Sequence, residues 1–263
     1  MIVDPAEVAA LERAGRAAFP GFALLRLDET ASTQDVVRLA ARSGAAAGCT
    51  CVAGAQSAGR GRHDRGWTAP PGSALLCSIL VRVDHPHLGG VPIAAGLAAR
   101  AAIAASCGHE SRLKWPNDLV SDGRKLAGIL CEVEPGAGAP GTAVVIGIGV
   151  NLSVPSFPPD VAGVSLHELT GDPPSAAALL TALLPELSDR LDRLARGGVP
   201  GLRTEWMSHA AGIGAAVTAA SATGTVSGIA EGVDDDGALL LRAGEGLVRV
   251  LAGDVHIGLR PPG

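Results

Sequence analysis

Gln56-Ser57-Ala58-Gly59-Arg60-Gly61-Arg62-His63-Asp64-Arg65-Gly66-Trp67 places three arginines within six positions of a chain whose formal net charge is −5. Planar guanidinium forks suit phosphate and carboxylate oxygens, and interleaved glycines let backbone N–H groups approach a ligand closely. Taken alone, the segment also reads as a solvated basic loop. Leu113-Lys114-Trp115-Pro116-Asn117-Asp118-Leu119 gathers a cation, an amide and a carboxylate around a proline, which is also good turn chemistry. Arg124-Lys125-Leu126-Ala127-Gly128-Ile129-Leu130 sets a cation at the mouth of an apolar strand, and a solvated strand end would look the same.

Two phosphate motifs are excluded. Gly54 to Gly61 approaches a P-loop, but Arg60 stands for the lysine, Gly61 for the metal-binding hydroxyl, and no helix follows. Gly147-Ile148-Gly149-Val150-Asn151-Leu152 begins like a dinucleotide fingerprint, but Leu152 replaces the third glycine and a proline-rich connection follows.

The elements that must position these residues follow from pattern. Residues 1–20 read as a short helix and Phe22–Asp28 as a strand. Ser32 or Thr33 caps a helix from Gln34 to Arg42, with Val36, Val37, Leu39 and Ala40 as its apolar face. Thr50–Ala53 is a short strand, Gln56–Gly72 a long loop, Ala74–Val83 a central strand and Val91–Ser106 an Ala-rich helix. Leu113–Trp115, Lys125–Val133 and Ala143–Leu152 read as three more strands. Leucines at helical spacing run through Ser175–Arg196, where Pro185 should kink or divide the helix, and residues 201–210 add a short one. After Gly212 the pattern changes to short strands, Val217–Ala219, Gly224–Ala230, Ala238–Leu241 and Leu247–Leu251, with Asp234-Asp235-Asp236-Gly237 as a turn. A boundary at 211/212, with a small β-barrel after it, is expected.

Hydrophobic residues make up 47% of the 263 positions, and mean hydropathy is +0.31, so a packed core is available. Aromatics are 2%, which leaves Ala, Val and Leu to fill it. The pI of about 5.8 disfavours general nucleic-acid binding by a basic surface. Five cysteines, mostly within apolar runs, read as buried free thiols of a reduced compartment. Cys49-Thr50-Cys51 is too closely spaced for a zinc knuckle, so no protein-held metal is expected. The N-terminus has no secretory pattern, and Val91–Ser106 contains Arg100 and is short for a bilayer span; a cytoplasmic protein without membrane contact is expected.

In combination and order, Q-x-x-G-R-G-R-x-x-R-x-W, K-W-P-N-D-L, K-L-A-G-I-L and G-I-G-V-N-L closely resemble the biotin–protein ligases. Ser32-Thr33-Gln34 matches an earlier family segment, and Ala252-Gly253-Asp254-Val255 resembles the family's C-terminal domain. The resemblance runs from about residue 22 to the end. It implies an α+β fold, a mixed sheet flanked by helices like the class II aminoacyl-tRNA synthetase core, followed by an SH3-like barrel. The first 20 residues are too few for a winged-helix domain, which points to the short monofunctional class.

The resemblance further implies that biotin and ATP form biotinyl-AMP and pyrophosphate, and that a lysine of a biotin carboxyl carrier domain then takes the biotin. Ser32, Thr33, Gln34 and Gln56 would hold biotin's polar ends, and Gly128, Ile129, Gly147 and Gly149 would leave room for its ring and chain. Gly59, Arg60, Gly61, Arg62 and Arg65 would take the phosphate side. Lys125 would stabilise charge in the transition state. Lys114, Asn117, Asp118 and Asn151 would shape the nucleotide site, Asp118 with a part in deprotonating the amine, and Trp67 would cover adenine or close the loop. Mg²⁺ would arrive with ATP. Asp64, where the family has glycine, is expected to face solvent harmlessly. Lipoyl-type ligases and a non-catalytic sensor are the competing readings, and a monomer or weak homodimer the expected state.

Overall fold

The computed structural model describes residues 4–63, 65–135, 141–221, 224–251 and 253–257, with backbone alone at 221 and 254. Asp64 and Ala252 lie outside the described residues. Helix α1 (Pro5–Ala18) starts where Asp4 accepts the Ala6 N–H at 2.8 Å and Pro5 fills the first turn. Strand β1 (Ala23–Thr30), helix α2 (Thr33–Arg42), β2 (Cys49–Gln56) and β3 (Ala74–Val83) follow. Next come α3 (Val91–Cys107), β4 (Arg112–Lys114), β5 (Asp118–Ser121), β6 (Arg124–Glu134) and β7 (Thr142–Asn151).

These strands form a mixed sheet in the order β1-β2-β3-β7-β6-β5-β4, with β1 and β2 parallel and the other neighbours antiparallel. Helix α2 lies over β2, β3 and β7, while α3 and the later α5 (Ala176–Gly197) also contact the sheet, so the expected helix-flanked mixed sheet is present. Between them β3 is buried at every position but Arg82, which is why it reads as a largely apolar run. The chain also forms a short α4 (Leu166–Thr170) and α6 (Pro200–His209). A second, antiparallel sheet comprises β8 (Ala216–Ser221), β9 (Gly224–Val233), β10 (Leu239–Ala243), β11 (Gly246–Val250) and β12 (Asp254–Ile257), ordered β11-β10-β9-β8-β12. Trp115 ties the two sheets by donating its indole N–H to the Gly237 carbonyl at 3.0 Å.

Several expectations are corrected. Pro185 does not divide α5. The helix buries six leucines, each contributing about 1.5–3 kcal/mol, which outweighs the roughly 3 kcal/mol cost of an interior proline. Leu39 is 66% exposed: it lies two residues from buried Val37, on the opposite side of α2, while Thr33, Gln34, Val37 and Ala41 face inward. Ser32 occupies the N-cap of α2 without a side-chain cap bond. The 3₁₀ turn His85–Gly90 runs into α3, and the 23 residues His85–Cys107 are long and apolar enough by composition to cross a bilayer. Most of that segment is buried inside the protein, as a core helix would be. Strands β5 and β12 had no separate sequence signal, because each is only four residues long. Of the thiols, Cys49, Cys51 and Cys77 are buried, and Cys107 and Cys131 partly so. Burial pushes the Cys51 thiol up to about 12, with Cys49 adding to the shift, so it is an inert packing group.

Helix α2 is fastened to β6 by Glu134, which is 3% exposed and accepts from Arg42 Nε at 2.5 Å and Arg38 Nε at 2.7 Å. The Arg42 and Arg38 hydrogen bonds hold its pKa below the usual carboxylate range. A depressed pKa means this stabilisation is present above the unfolded carboxylate's range and disappears as pH falls through the folded value. Glu134→Gln should cost about 1.5–3 kcal/mol at neutral pH. The melting-temperature gap from wild type should narrow in acid; an equal gap at all pH values would refute the assignment.

Candidate active site

A cavity of about 470 Å³ collects every sequence-predicted site residue except Gly59. Its floor is the β6–β7 ladder, in which Gly128 pairs with Gly149 and Leu130 with Gly147. The glycines were expected to make room for ligand; they first make room for the protein. A Cβ on Gly149 would stand 2.5 Å from Trp67 Cε2, one on Gly128 2.8 Å from Trp67 Cζ3, and one on Gly147 2.6 Å from Gln34 Oε1. The indole of Trp67 therefore lies directly on the floor.

At one end sits a buried polar network. The Thr33 N–H and Oγ1 both donate to Gln56 Oε1, at 2.8 and 3.0 Å. Ser78 Oγ is 2.8 Å from Thr33 Oγ1 and donates to Gln34 Oε1 at 3.0 Å. Gln34 Nε2 in turn donates to the carbonyls of Val145 (3.0 Å) and Leu130 (3.4 Å). Low exposure makes such a network costly to break and fixes its donors and acceptors in place. Ser78 was missed in the sequence. Its signal was a hydroxyl in the middle of the apolar run Ala74–Val83.

At the other end Lys125 Nζ lies 2.7 Å from Asp118 Oδ1 and 5.6 Å from the centre of the Trp67 ring. Its backbone is held on both sides: Lys125 N–H donates to Ala162 at 2.7 Å, and its carbonyl accepts from Val164 N–H at 3.0 Å. The amide of Asn151 adds bonds to the carbonyls of Lys125 (3.2 Å) and Val164 (3.1 Å). Asn151 thus locks the segment that presents Lys125. Asn117 donates to Ile129 O at 2.7 Å and accepts from Arg62 Nη1 at 3.2 Å. Arg62 Nη1 also reaches the Gly253 carbonyl, at 3.1 Å, so the second sheet helps to close the cavity, and Val255 and His256 line it. Phe157, Asp160 and Ala162 from the loop after β7 line it too. Neither contribution was visible in sequence, because both depend on long-range packing.

The arginine loop is narrow at its base. Trp67 N–H donates to the Gly59 carbonyl at 2.9 Å, and a Cβ on Gly59 would meet Trp67 O at 2.3 Å, which accounts for the glycine there. Gly61 N–H donates to Arg65 O at 2.6 Å, and Arg65 Nε reaches Arg62 O at 3.4 Å. Arg60, expected on the phosphate side, has its Nη2 2.7 Å from Asp35 Oδ1 and 3.1 Å from Glu132 Oε2. Lys114 and Ser32 also line the cavity.

A pocket with fixed cations at one end, a fixed hydrogen-bonding network at the other and an apolar floor between suits a ligand that is both anionic and partly apolar. Residues 28–151 match the biotin/lipoate A/B protein ligase family, and residues 212–258 match the biotin protein ligase C-terminal domain. The chain is 37% identical over 235 residues to the biotin–[acetyl-CoA-carboxylase] ligase of Mycobacterium tuberculosis, covering 86% of each. It is 33% identical over 242 residues to the bifunctional ligase/repressor BirA of Bacillus spizizenii, covering 89% of this chain and 74% of that one. The biotin protein ligase of Aquifex aeolicus in complex with biotin and ATP superposes with a TM-score of 0.77 at 25% identity, covering 89% of this chain and 98% of that one. The chain belongs to the biotin protein ligase family.

Proposed function

We propose that this protein is an ATP-dependent biotin–protein ligase acting on the carrier domain of a biotin-dependent carboxylase. In the first step a biotin carboxylate oxygen attacks the α-phosphorus of ATP, and pyrophosphate leaves. In the second, an acceptor lysine amine attacks the acyl carbon, the carbon–oxygen bond to AMP breaks, and the amine loses a proton. One observation carries the reading: Lys125, Arg62 and Asn117 meet the Thr33–Gln34–Gln56–Ser78 network across a single glycine-floored cavity.

Roles follow from position. Thr33, Gln34, Gln56 and Ser32 face biotin's ureido end. Gly128, Gly147 and Gly149, with Ile129 and Trp67, wall its ring and chain. Arg62, Lys114, the backbone of Gly59 and Gly61, and Arg65 face the phosphates. Lys125 offsets charge developing on the carboxylate and α-phosphate oxygens. Asp118, already oriented by Lys125, is placed to accept the amine proton. Mg²⁺ would arrive as Mg·ATP, held through the nucleotide's phosphates.

The domain division at Gly212 is supported by the start of the C-terminal family match. The helix-flanked sheet and the five-stranded second sheet support the class II synthetase-like and SH3-like descriptions. We take the protein to be cytoplasmic, free of nucleic acid and membrane, and a monomer or weak homodimer. The test is biotin-dependent pyrophosphate release from Mg·ATP, followed by the intact mass of a carrier domain. Release with a gain of one biotin is expected; none from folded protein overturns the reading.

A further inference from the structure

We infer that Arg60 is a positioning residue: with Asp35 and Glu132 it forms an ionic strut that fixes the arginine loop over the cavity. The inference rests on the ligase reading only in taking that loop as the adenylate's cover. A single nitrogen, Arg60 Nη2, bridges a carboxylate from α2 and another from β6. The strut spans a hollow of about 450 Å³ between the loop and Leu130 and Glu132 of β6. At its ends the loop is tied by backbone bonds, Ser57 N–H to Thr30 O (3.0 Å), Ala58 N–H to Ala31 O (2.9 Å) and Trp67 N–H to Gly59 O (2.9 Å). Beyond Gly59, among the described residues, its backbone bonds are largely to itself, Gly61 N–H to Arg65 O and Arg65 N–H to Arg62 O. Side chains therefore set its height above the sheet, Arg60 through the strut and Arg62 through Asn117 and the Gly253 carbonyl.

Charge favours the same assignment. Two carboxylates already occupy the Arg60 guanidinium, and a phosphate approaching Arg60 would have to displace them. The pair also continues inward. Asp35, Arg38 and Arg42 share one side of α2, Glu132 and Glu134 share one face of β6, and Arg38 and Arg42 both hold Glu134. The first turn of α2 carries Thr33 and Gln34. The loop over the phosphate end and the helix at the opposite end are therefore members of one ion ladder, and the loop's height follows α2.

Trypsin cleavage after Arg62 and Arg65 in the unliganded protein reads loop opening without any turnover. Wild type, Glu132→Gln, Asp35→Asn/Glu132→Gln, Arg60→Met and the triple variant are compared, with cut sites assigned by fragment mass. The double variant and Arg60→Met should each be cut about tenfold faster than wild type, because cleavage follows the population of the open form. The triple variant should be cut no faster than Arg60→Met. KM for biotin and ATP should rise with the same non-additive pattern, and Arg60→Lys should restore most of both.

If Arg60 instead binds phosphate directly, removing its two carboxylate partners frees it. Cleavage would then stay at the wild-type rate, ATP would bind more tightly, and Arg60→Met would cost the same factor in either background. Any of these overturns the strut. Glu132→Gln alone decides the question if the double variant does not fold. A wild type that releases no pyrophosphate would sink the ligase reading, while the cleavage comparison would still decide the strut.

Discussion

Lys125→Ala is expected to lose about a hundred- to a thousand-fold of biotin-dependent pyrophosphate release, the scale for removing a preorganised charge from a transition state. When the carboxylate attacks ATP, negative charge is redistributed between the new acyl–phosphate oxygen and the departing pyrophosphate. An ammonium helps most if it is already in place. Lys125 meets that condition: both sides of its backbone are bonded to the 162–164 segment, Asn151 clamps that segment, and Asp118 and the Trp67 face fix Nζ. The alanine variant leaves Asp118 without its ion pair, but Asp118 keeps some solvent contact, so folding should survive. The expected pattern is a fall in kcat much larger than any rise in the biotin Kd, with a near-native melting curve. Lys125→Arg should retain more activity than alanine, though not all of it, because a planar fork cannot occupy the ammonium's position beside Trp67. A fall of under fivefold in pyrophosphate release for Lys125→Ala would mean that the charge is supplied elsewhere, with Arg62 and Lys114, which line the same cavity, as candidates.

How far the sequence reached depended on the range of the interaction that fixes each residue. Strand β3 was bounded correctly because burial on both faces leaves a run between Ser73 and Asp84 that is apolar but for Ser78 and Arg82. The cations and amides of the cavity were readable because their types and spacing are unusual in an acidic chain and resemble one family. The pairing of Arg60 with Asp35 and Glu132 was not legible, because they lie 25 and 72 positions away and nothing local signals it. Ser78 was hidden in the same way: its partners are on α2, and a serine within an apolar strand looks like a tolerated exception. The cavity-facing residues of β12 were invisible because a four-residue strand gives almost no periodicity. Pro185 shows the reverse case, a strong local signal overruled by the buried leucines around it.

Gly149→Ala should raise the biotin Kd by about 5- to 140-fold, which is the equilibrium equivalent of the roughly 1–3 kcal/mol cost of overpacking. The added methyl would stand 2.5 Å from Trp67 Cε2, 2.6 Å from Cζ2 and 2.9 Å from Nε1, so the indole must move. A flexible side chain could rotate away, but this ring is rigid, and its backbone N–H is bonded to Gly59 at the neck of the arginine loop. Its own Nε1 is buried without a partner among the described residues, so packing against the glycine floor, rather than a hydrogen bond, holds it there. The least costly response is for the ring and loop to lift together. That would place the cost on ligand affinity and loop order and leave the sheet intact. Of the chain's three tryptophans, Trp115 and Trp206 are buried, and the three atoms nearest the added methyl all belong to Trp67, so a red shift of emission in Gly149→Ala would report Trp67 leaving the floor. A second substitution separates this clash from general damage. Trp67→Ala should weaken biotin binding on its own, yet adding Gly149→Ala to it should cost little more, because nothing remains for the methyl to strike. Equal penalties in both backgrounds would show that Gly149 acts on the ligand directly and that the indole does not rest on the floor.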